Sequence, residues 1–281
     1  MQKTPFLFLY IIPSVTFWAL AFPAISIALE ELSPYNITLF RLGIGSLLFV
    51  TLLSLHNPSK FNIQRKHLVE VFLLGVLGVT AYHLGLNYGE VFVSPATASL
   101  IVAASPLFIA LFSITIKKKI PTRYTTSGIL LSFFGVIVIS LYGTPNAQIQ
   151  IEYLAGAGAV LISALSAAFY MLLSKKLLKE YEPLQLTTHA FIFSAGILLP
   201  FNTAESLHQF TTLSTSTLGA ITFLAIFPTV ISYLLWSKAL HLTNATRLAP
   251  SLYLIPLLST GFSYLFFELW FKQMSESTLQ S

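Results

Sequence analysis

Apolar runs of about 20 residues recur along the whole chain, each closed by a short segment rich in Pro, Ser, Asn or charge. A run of roughly that length crosses a hydrocarbon core about 30 Å thick. The pattern predicts nine membrane spans, at 6–29, 35–55, 68–90, 94–116, 124–142, 153–174, 184–204, 213–237 and 244–267. Each should be a helix, because backbone facing lipid must satisfy its own hydrogen bonds. The connections are short and leave no room for an extramembrane domain. The first apolar run, after Met1–Pro5, has no small-residue cleavage site behind a short apolar core, so it is read as an uncleaved span.

Composition agrees with a chain whose solvent is lipid. Of 281 residues, 55% are hydrophobic and only 9% charged, against about a quarter charged in an ordinary soluble domain. Cysteine is absent, which excludes a disulfide framework and a thiolate metal site. The net charge of +5 does not point to nucleic acid, because the basic residues sit in the loops between spans. With the N-terminus in the cytoplasm and the spans alternating, Lys3, Lys60, Arg65, Lys66, Lys117–Lys119, Arg123, Lys175, Lys176, Lys179, Lys238 and Arg247 all fall on one side. Those are thirteen of the fifteen Lys and Arg residues. Glu30, Glu31, Glu90, Glu152 and Glu205 fall on the other. This bias predicts a multi-pass protein of the cytoplasmic membrane, with a cytoplasmic N-terminus and, for nine spans, an external C-terminus. Lys117–Lys119 then serve as a topology anchor.

The chain also repeats itself. At an offset of 150 residues, Gly89-Glu-Val-Phe-Val-Ser-Pro-Ala-Thr-Ala lies over Ala239-Leu-His-Leu-Thr-Asn-Ala-Thr-Arg-Leu, and Pro106 falls on Pro256. Ser33-Pro34 before span two resembles Glu182-Pro183 before span seven at an offset of 149. The boundaries this implies are a first repeat over 1–145, a second over 150–268 and a polar tail over 269–281. The unit holds five spans, an odd number, so the second copy enters the membrane from the opposite side. Inverted repeats of this kind mark secondary transporters, whose site lies near the midplane between the halves. Pro13, Pro23, Pro106, Pro228, Pro250 and Pro256 are placed where they would interrupt helices beside a cavity.

Two segments carry a family resemblance. Ser94-Pro-Ala-Thr-Ala-Ser-Leu-Ile with Pro106-Leu-Phe, and Thr243-Asn-Ala-Thr-Arg-Leu-Ala with Pro256-Leu, resemble the motif between spans three and four of the EamA family, within the drug/metabolite transporter superfamily. Ser33-Pro34 followed by Arg41-Leu resembles the opening of its span two. The resemblance implies ten helices in two inverted five-helix halves and export of amino acids or other small metabolites. The sequence departs from that plan at its end, where the counterpart of span five would occupy 278–292 and the residues after Phe267 are short and polar. The expected fold is therefore an all-α membrane protein of two inverted five-helix repeats, the second lacking its last helix. A non-transporting assembly partner or an inactive truncated paralogue is the alternative that this ending raises.

Polar side chains inside spans are costly and so informative. In span three, His83, Asn87 and Glu90 follow i, i+4, i+7 spacing, with Gly78, Gly85 and Gly89 on the opposite, packing face. Further stripes are Ser163, Ser166, Tyr170 and Ser174 in span six, Thr229, Tyr233 and Trp236 in span eight, and Tyr253, Thr260 and Tyr264 in span nine. Span one adds Ser14 and Trp18. The repeat lays His83 on Tyr233. The expected cavity is lined by Trp18, His83, Asn87, Ser166, Tyr170, Thr229, Tyr233, Trp236, Tyr253 and Tyr264, an aromatic and hydroxylic lining with few fixed charges, suited to small zwitterions or mildly apolar metabolites. Arg41, about two turns inside the outer end of span two, is expected to snorkel to the interface or else to touch substrate. Arg41, Glu90 and His189 (close to Arg41's repeat counterpart) are candidates for coupling or gating, and either histidine for proton coupling. No enzyme, metal or cofactor is expected: the sequence has no Asp, no Cys, no H-E-x-x-H and no G-x-S-x-G. A carrier working by alternating access is the predicted function.

Overall fold

The computed structural model describes residues 6–117 and 151–262, with the single positions Arg123, Ser127, Leu131, Phe134, Tyr264 and Leu265. Most of predicted span five and all of the tail 269–281 lie outside the described residues. Within them every regular element is a helix, and seven helices are long and apolar enough to cross a membrane.

The helices follow the predicted runs closely. They are α1 (Phe8–Leu29), α2 (Pro34–His56), α3 (Arg65–Gly89), a split span of α4 (Pro95–Val102) and α5 (Ser105–Lys117), α6 (Ile151–Leu177), α7 (Pro183–Phe201) and α9 (Thr215–Leu242). Starts are written in short motifs. Ser33 accepts a hydrogen bond from the Asn36 N–H at 3.2 Å with Pro34 as the first helical residue, and Ser94 caps Thr97 at 3.2 Å with Pro95 in the same place. Such caps satisfy amides that the first turn leaves bare. Ser214 caps α9 and gives its own N–H to Glu31 at 3.0 Å. Hydrogen bonds from Ser214 hold the exposed Glu31 carboxyl below its ordinary range.

Four features depart from the predicted pattern. A short helix, α8 (Ala204–Thr211), fills the connection before α9 and packs Phe210 on Phe40 of α2. Predicted span nine is not one helix: α10 (Ala245–Leu248) runs into a 3₁₀ stretch, Ala249–Tyr253, before α-helix resumes over residues 254–262. Span four breaks at 103–104, between α4 and α5. Lastly, α3 and α9 widen to π-helix over Leu74–Thr80 and Ala225–Ile231. Hydroxyls answer carbonyls five residues back, from Thr229 to Leu224 at 2.8 Å and from Ser232 to Phe227 at 3.0 Å. Pro228 lies inside the second π segment, Pro106 follows the break and Pro250 lies in the 3₁₀ stretch. By contrast, α1 runs unbroken through Pro13 and Pro23, and the expected interruption does not occur there.

Glycine sets the closest helix pair. Gly78, Gly85 and Gly89 all turn toward α6, and a methyl group at Gly85 would lie 2.6 Å from the Ser163 hydroxyl. Only a residue without Cβ admits that approach.

Candidate functional site

The breaks converge. A cavity of about 50 Å³ lies where α1, α3, the α4–α5 break, α6, α9 and the 3₁₀ stretch meet. Aromatic rings dominate its wall: Trp18, Tyr82, Tyr170, Tyr233 and Trp236. Val102 and Ser105 at one break face Leu252 and Ile255 at the other, and each pair is separated by 150 residues in sequence.

The rings hold one another in place. Tyr233 is the hub, with ring centroids 5.3 Å from Tyr170, 5.0 Å from Phe191 and 5.7 Å from Trp18, all edge-on, and with His83 stacked behind it at 6.1 Å. Edge-to-face pairs at such distances are favourable beyond the area they bury. Trp18 also packs 5.0 Å from Trp236 and donates its indole N–H to the Pro228 carbonyl at 2.9 Å. That carbonyl belongs to the π segment of α9, so one side chain ties the cavity wall to the widened turn.

Behind the aromatic wall lies a seam of buried polar groups between α2, α3 and α9. The Arg41 side chain is only 2% exposed and donates its Nε–H to Thr229 Oγ1 at 2.8 Å, leaving Nη1 without a partner. It therefore does not snorkel to the interface, as the sequence led one to expect. Thr229, itself placed by the π turn, receives the guanidinium and holds it inside. His83 is fully enclosed, with Nδ1 2.8 Å from the Val79 carbonyl, and Asn87 donates Nδ2 to Thr38 Oγ1 at 2.8 Å. Glu90 is buried at the end of α3.

Of the ten expected cavity residues, the structure brings Trp18, Tyr170, Tyr233 and Trp236 into the wall. His83, Asn87 and Thr229 form the seam one layer behind. Ser166 is buried on α6, but its neighbour Ala167 faces the cavity. Tyr253 and Tyr264 are corrections: they are 42% and 62% exposed and do not line the cavity. The 3₁₀ stretch ending at Tyr253 shifts the register on which their inward placement relied, and turns Leu252 and Ile255 inward instead. His189 lies apart from the cavity. Its ring nitrogens meet the carbonyls of Gln185 at 2.8 Å and Phe61 at 3.0 Å, fastening the α2–α3 connection to α7. Sequence reasoning missed Tyr82 and gave Gly78 only a packing role, yet the two stand i, i+4 on α3 and both line the cavity. That spacing was a usable signal, hidden by the more conspicuous His83 stripe.

Comparisons with known proteins agree with this architecture. The model of the EamA-like transporter family matches twice, over residues 6–141 and 154–275. An "Uncharacterized transporter" of Archaeoglobus fulgidus is 35% identical over 248 residues, covering 88% of this chain and 84% of its own. A "Probable terminal-alkyne amino-acid exporter" of Streptantibioticus cattleyicolor is 30% identical, with 86% and 79% covered. A protein of known crystal structure superimposes with a TM-score of 0.67 at 18% identity, covering 91% of this chain and 86% of that one, and so shares the fold.

Proposed function

This chain belongs to the EamA-like transporter family and is a multi-pass membrane transporter, and on that footing we propose that it carries small organic metabolites by alternating access through the aromatic cavity. The observation that carries the proposal is the position of that cavity, at the meeting of two helix breaks and beside two π segments. A break next to a cavity leaves backbone groups free for solute and gives each helix a place to bend.

On this reading the chain is two inverted halves, and the helix packing supports it. Under the 150-residue offset α1 corresponds to α6 and α3 to α9. The packing of α1 on α9 and of α3 on α6 is then one contact made twice, while α2 packs on its own counterpart α7. Among the described residues three Lys-bearing connections share one end: Lys60 pairs with Glu182 at 3.2 Å, Lys176 with Glu70 at 2.8 Å, and Lys175 reaches the Leu240 carbonyl at 2.8 Å. That end is assigned to the cytoplasm by the positive-inside rule.

The wall gives a largely apolar bed of two tryptophans and three tyrosines. It suits amino acids with apolar side chains, whose ammonium groups are also drawn to aromatic faces. The name of the Streptantibioticus relative supports both that class and the outward direction. In the state described the cavity is contracted, well below the roughly 300 Å³ at the lower end of ligand pockets, so transport requires it to widen. Reconstitution in liposomes with labelled L-amino acids, L-propargylglycine among them, tests the proposal. Movement above protein-free vesicles that Tyr233→Ala abolishes is the expected result. No movement of any solute would instead favour a non-transporting role.

A further inference from the structure

The seam holds a buried acid that the cavity does not use. Both carboxylate oxygens of Glu90 are enclosed and without a hydrogen-bond partner, as are Asn87 Oδ1 and His83 Nε2. Because His83 Nδ1 faces the Val79 carbonyl, that nitrogen carries the proton and Nε2 is left as a bare acceptor. Asn87 is oriented by its bond to Thr38, so its oxygen is the atom left over. At 1.5 Å rise per residue, the three acceptors run about 10 Å along one face of α3. Opposite them on α2, Arg41 keeps one guanidinium nitrogen unpartnered. Arg41 is near enough for Glu90 to feel its charge, yet neither direct ion pair among the described residues joins them. The other titratable groups facing the seam are Tyr82, from α3 itself, and Tyr233, from α9.

Enclosed acceptors with no donor cost free energy, and a buried charge without a contacting partner costs more. A solute would need space that these atoms lack. A proton needs none: added to one oxygen of Glu90, it turns a carboxylate into a carboxyl and supplies a donor. We propose that Glu90 is a proton-binding site read by Arg41, and that a proton joins the transport cycle at this point. The proposal rests on the carrier function argued above. The carboxylate takes up one proton from the aqueous end of α3, and the seam changes from a balanced acid–guanidinium set to a single positive charge on Arg41. That unbalanced charge favours a state in which the guanidinium turns toward the cavity side, where Tyr82 and Tyr233 already stand. Proton occupancy and cavity state are thereby linked, each shifting the other by the same factor.

Infrared difference spectroscopy of the purified protein in detergent tests the site without a substrate. Wild type minus Glu90→Gln should show the C=O band of one enclosed protonated carboxyl, losing intensity as pH rises. Arg41→Gln should raise the protonated fraction at a given pH by displacing the midpoint about one to three pH units, and Arg41→Lys should not, since a nearby positive charge favours the ionised form. Glu90→Asp, which moves the band rather than removing it, serves if the Gln variant fails to fold. A missing band, or one indifferent to Arg41, overturns the site. In phosphatidylethanolamine–phosphatidylglycerol proteoliposomes, L-propargylglycine movement should follow an imposed pH gradient, and Glu90→Gln should move it without responding to the gradient. Wild-type movement that ignores the gradient overturns the coupling and leaves the carrier standing. No movement under any gradient, with the band present, removes the carrier and the coupling with it.

Discussion

Trp18 shows how much a single side chain can hold in this fold. Its ring completes the aromatic wall against Tyr233 and Trp236, while its N–H closes the Pro228 carbonyl in the π segment of α9. The two roles separate by substitution. Trp18→Phe keeps most of the ring contact and leaves a buried carbonyl unpaired, a loss of about 1–3 kcal/mol. Trp18→Ala removes the half-buried ring as well and should cost more, toward the lower end of the roughly 3–5 kcal/mol lost when a buried aromatic is truncated. Thermal unfolding in one detergent should order the three proteins wild type, Phe, Ala. A Phe variant as stable as wild type would show that the indole N–H is replaceable. The sequence offered Trp18 only as part of a weaker pair with Ser14, and the structure puts its ring in the cavity wall. Arg41 was marked too, but its direction was wrong. Snorkelling assumes that water at the interface is the nearest partner for a guanidinium, and nothing in the linear pattern reveals that Thr229, 188 positions away, is nearer.

At the scale of elements, glycine faces and caps are local signals and were legible. Period and spacing put Gly78, Gly85 and Gly89 on one side of α3, and the structure places α6 there. The cost of filling that face is open to measurement. Gly85→Ala would set a methyl group 2.6 Å from the Ser163 hydroxyl and 2.7 Å from the Ala159 carbonyl, so the helices must part. Overpacking of this kind costs about 1–3 kcal/mol. Gly43→Ala is the control, since nothing lies within 4 Å of its added methyl group, and a helical alanine there should be neutral or better by up to about 1 kcal/mol. Equal unfolding temperatures for the two variants would refute the packing account. Breaks in the helices were marked by Pro106, Pro228 and Pro250, but the register shift each one makes was not legible. A π turn or a 3₁₀ turn advances the face by a fraction of a residue step, which apolar spacing averages out over a span. For that reason Tyr253 was misplaced by the 3₁₀ stretch that turns Leu252 and Ile255 inward, and α8 was overlooked as a connection between longer runs.

The described helices are tied at both ends, and the alternating access proposed above requires those ties to differ in strength as the cavity opens. At the basic end, the α2–α3 connection is strapped onto the α6–α7 turn. Tyr181 Oη accepts the Gln64 N–H at 3.2 Å and lies 2.8 Å from His67 Nδ1, and Gln185 donates to the Asn62 carbonyl at 3.0 Å. At the other end Glu31 holds Ser214, and Asn36 donates to Gln209 at 2.6 Å. The Lys60–Glu182 pair is half-exposed and worth at most about 1 kcal/mol, so the strap depends on the Tyr181 hydroxyl more than on charge. Tyr181→Phe removes the oxygen on which both connector groups converge and should favour opening at the basic end. The chain has no cysteine, so a single Ala167→Cys in the cavity wall gives a clean reporter. Its labelling by a membrane-impermeant maleimide, applied from the basic side of oriented vesicles, should quicken several-fold when Tyr181 is Phe. Lys60→Gln should change it little. An unaltered rate in the Phe variant would mean that the strap fastens the connection without governing access, and that the barrier on this side lies in the aromatic wall itself.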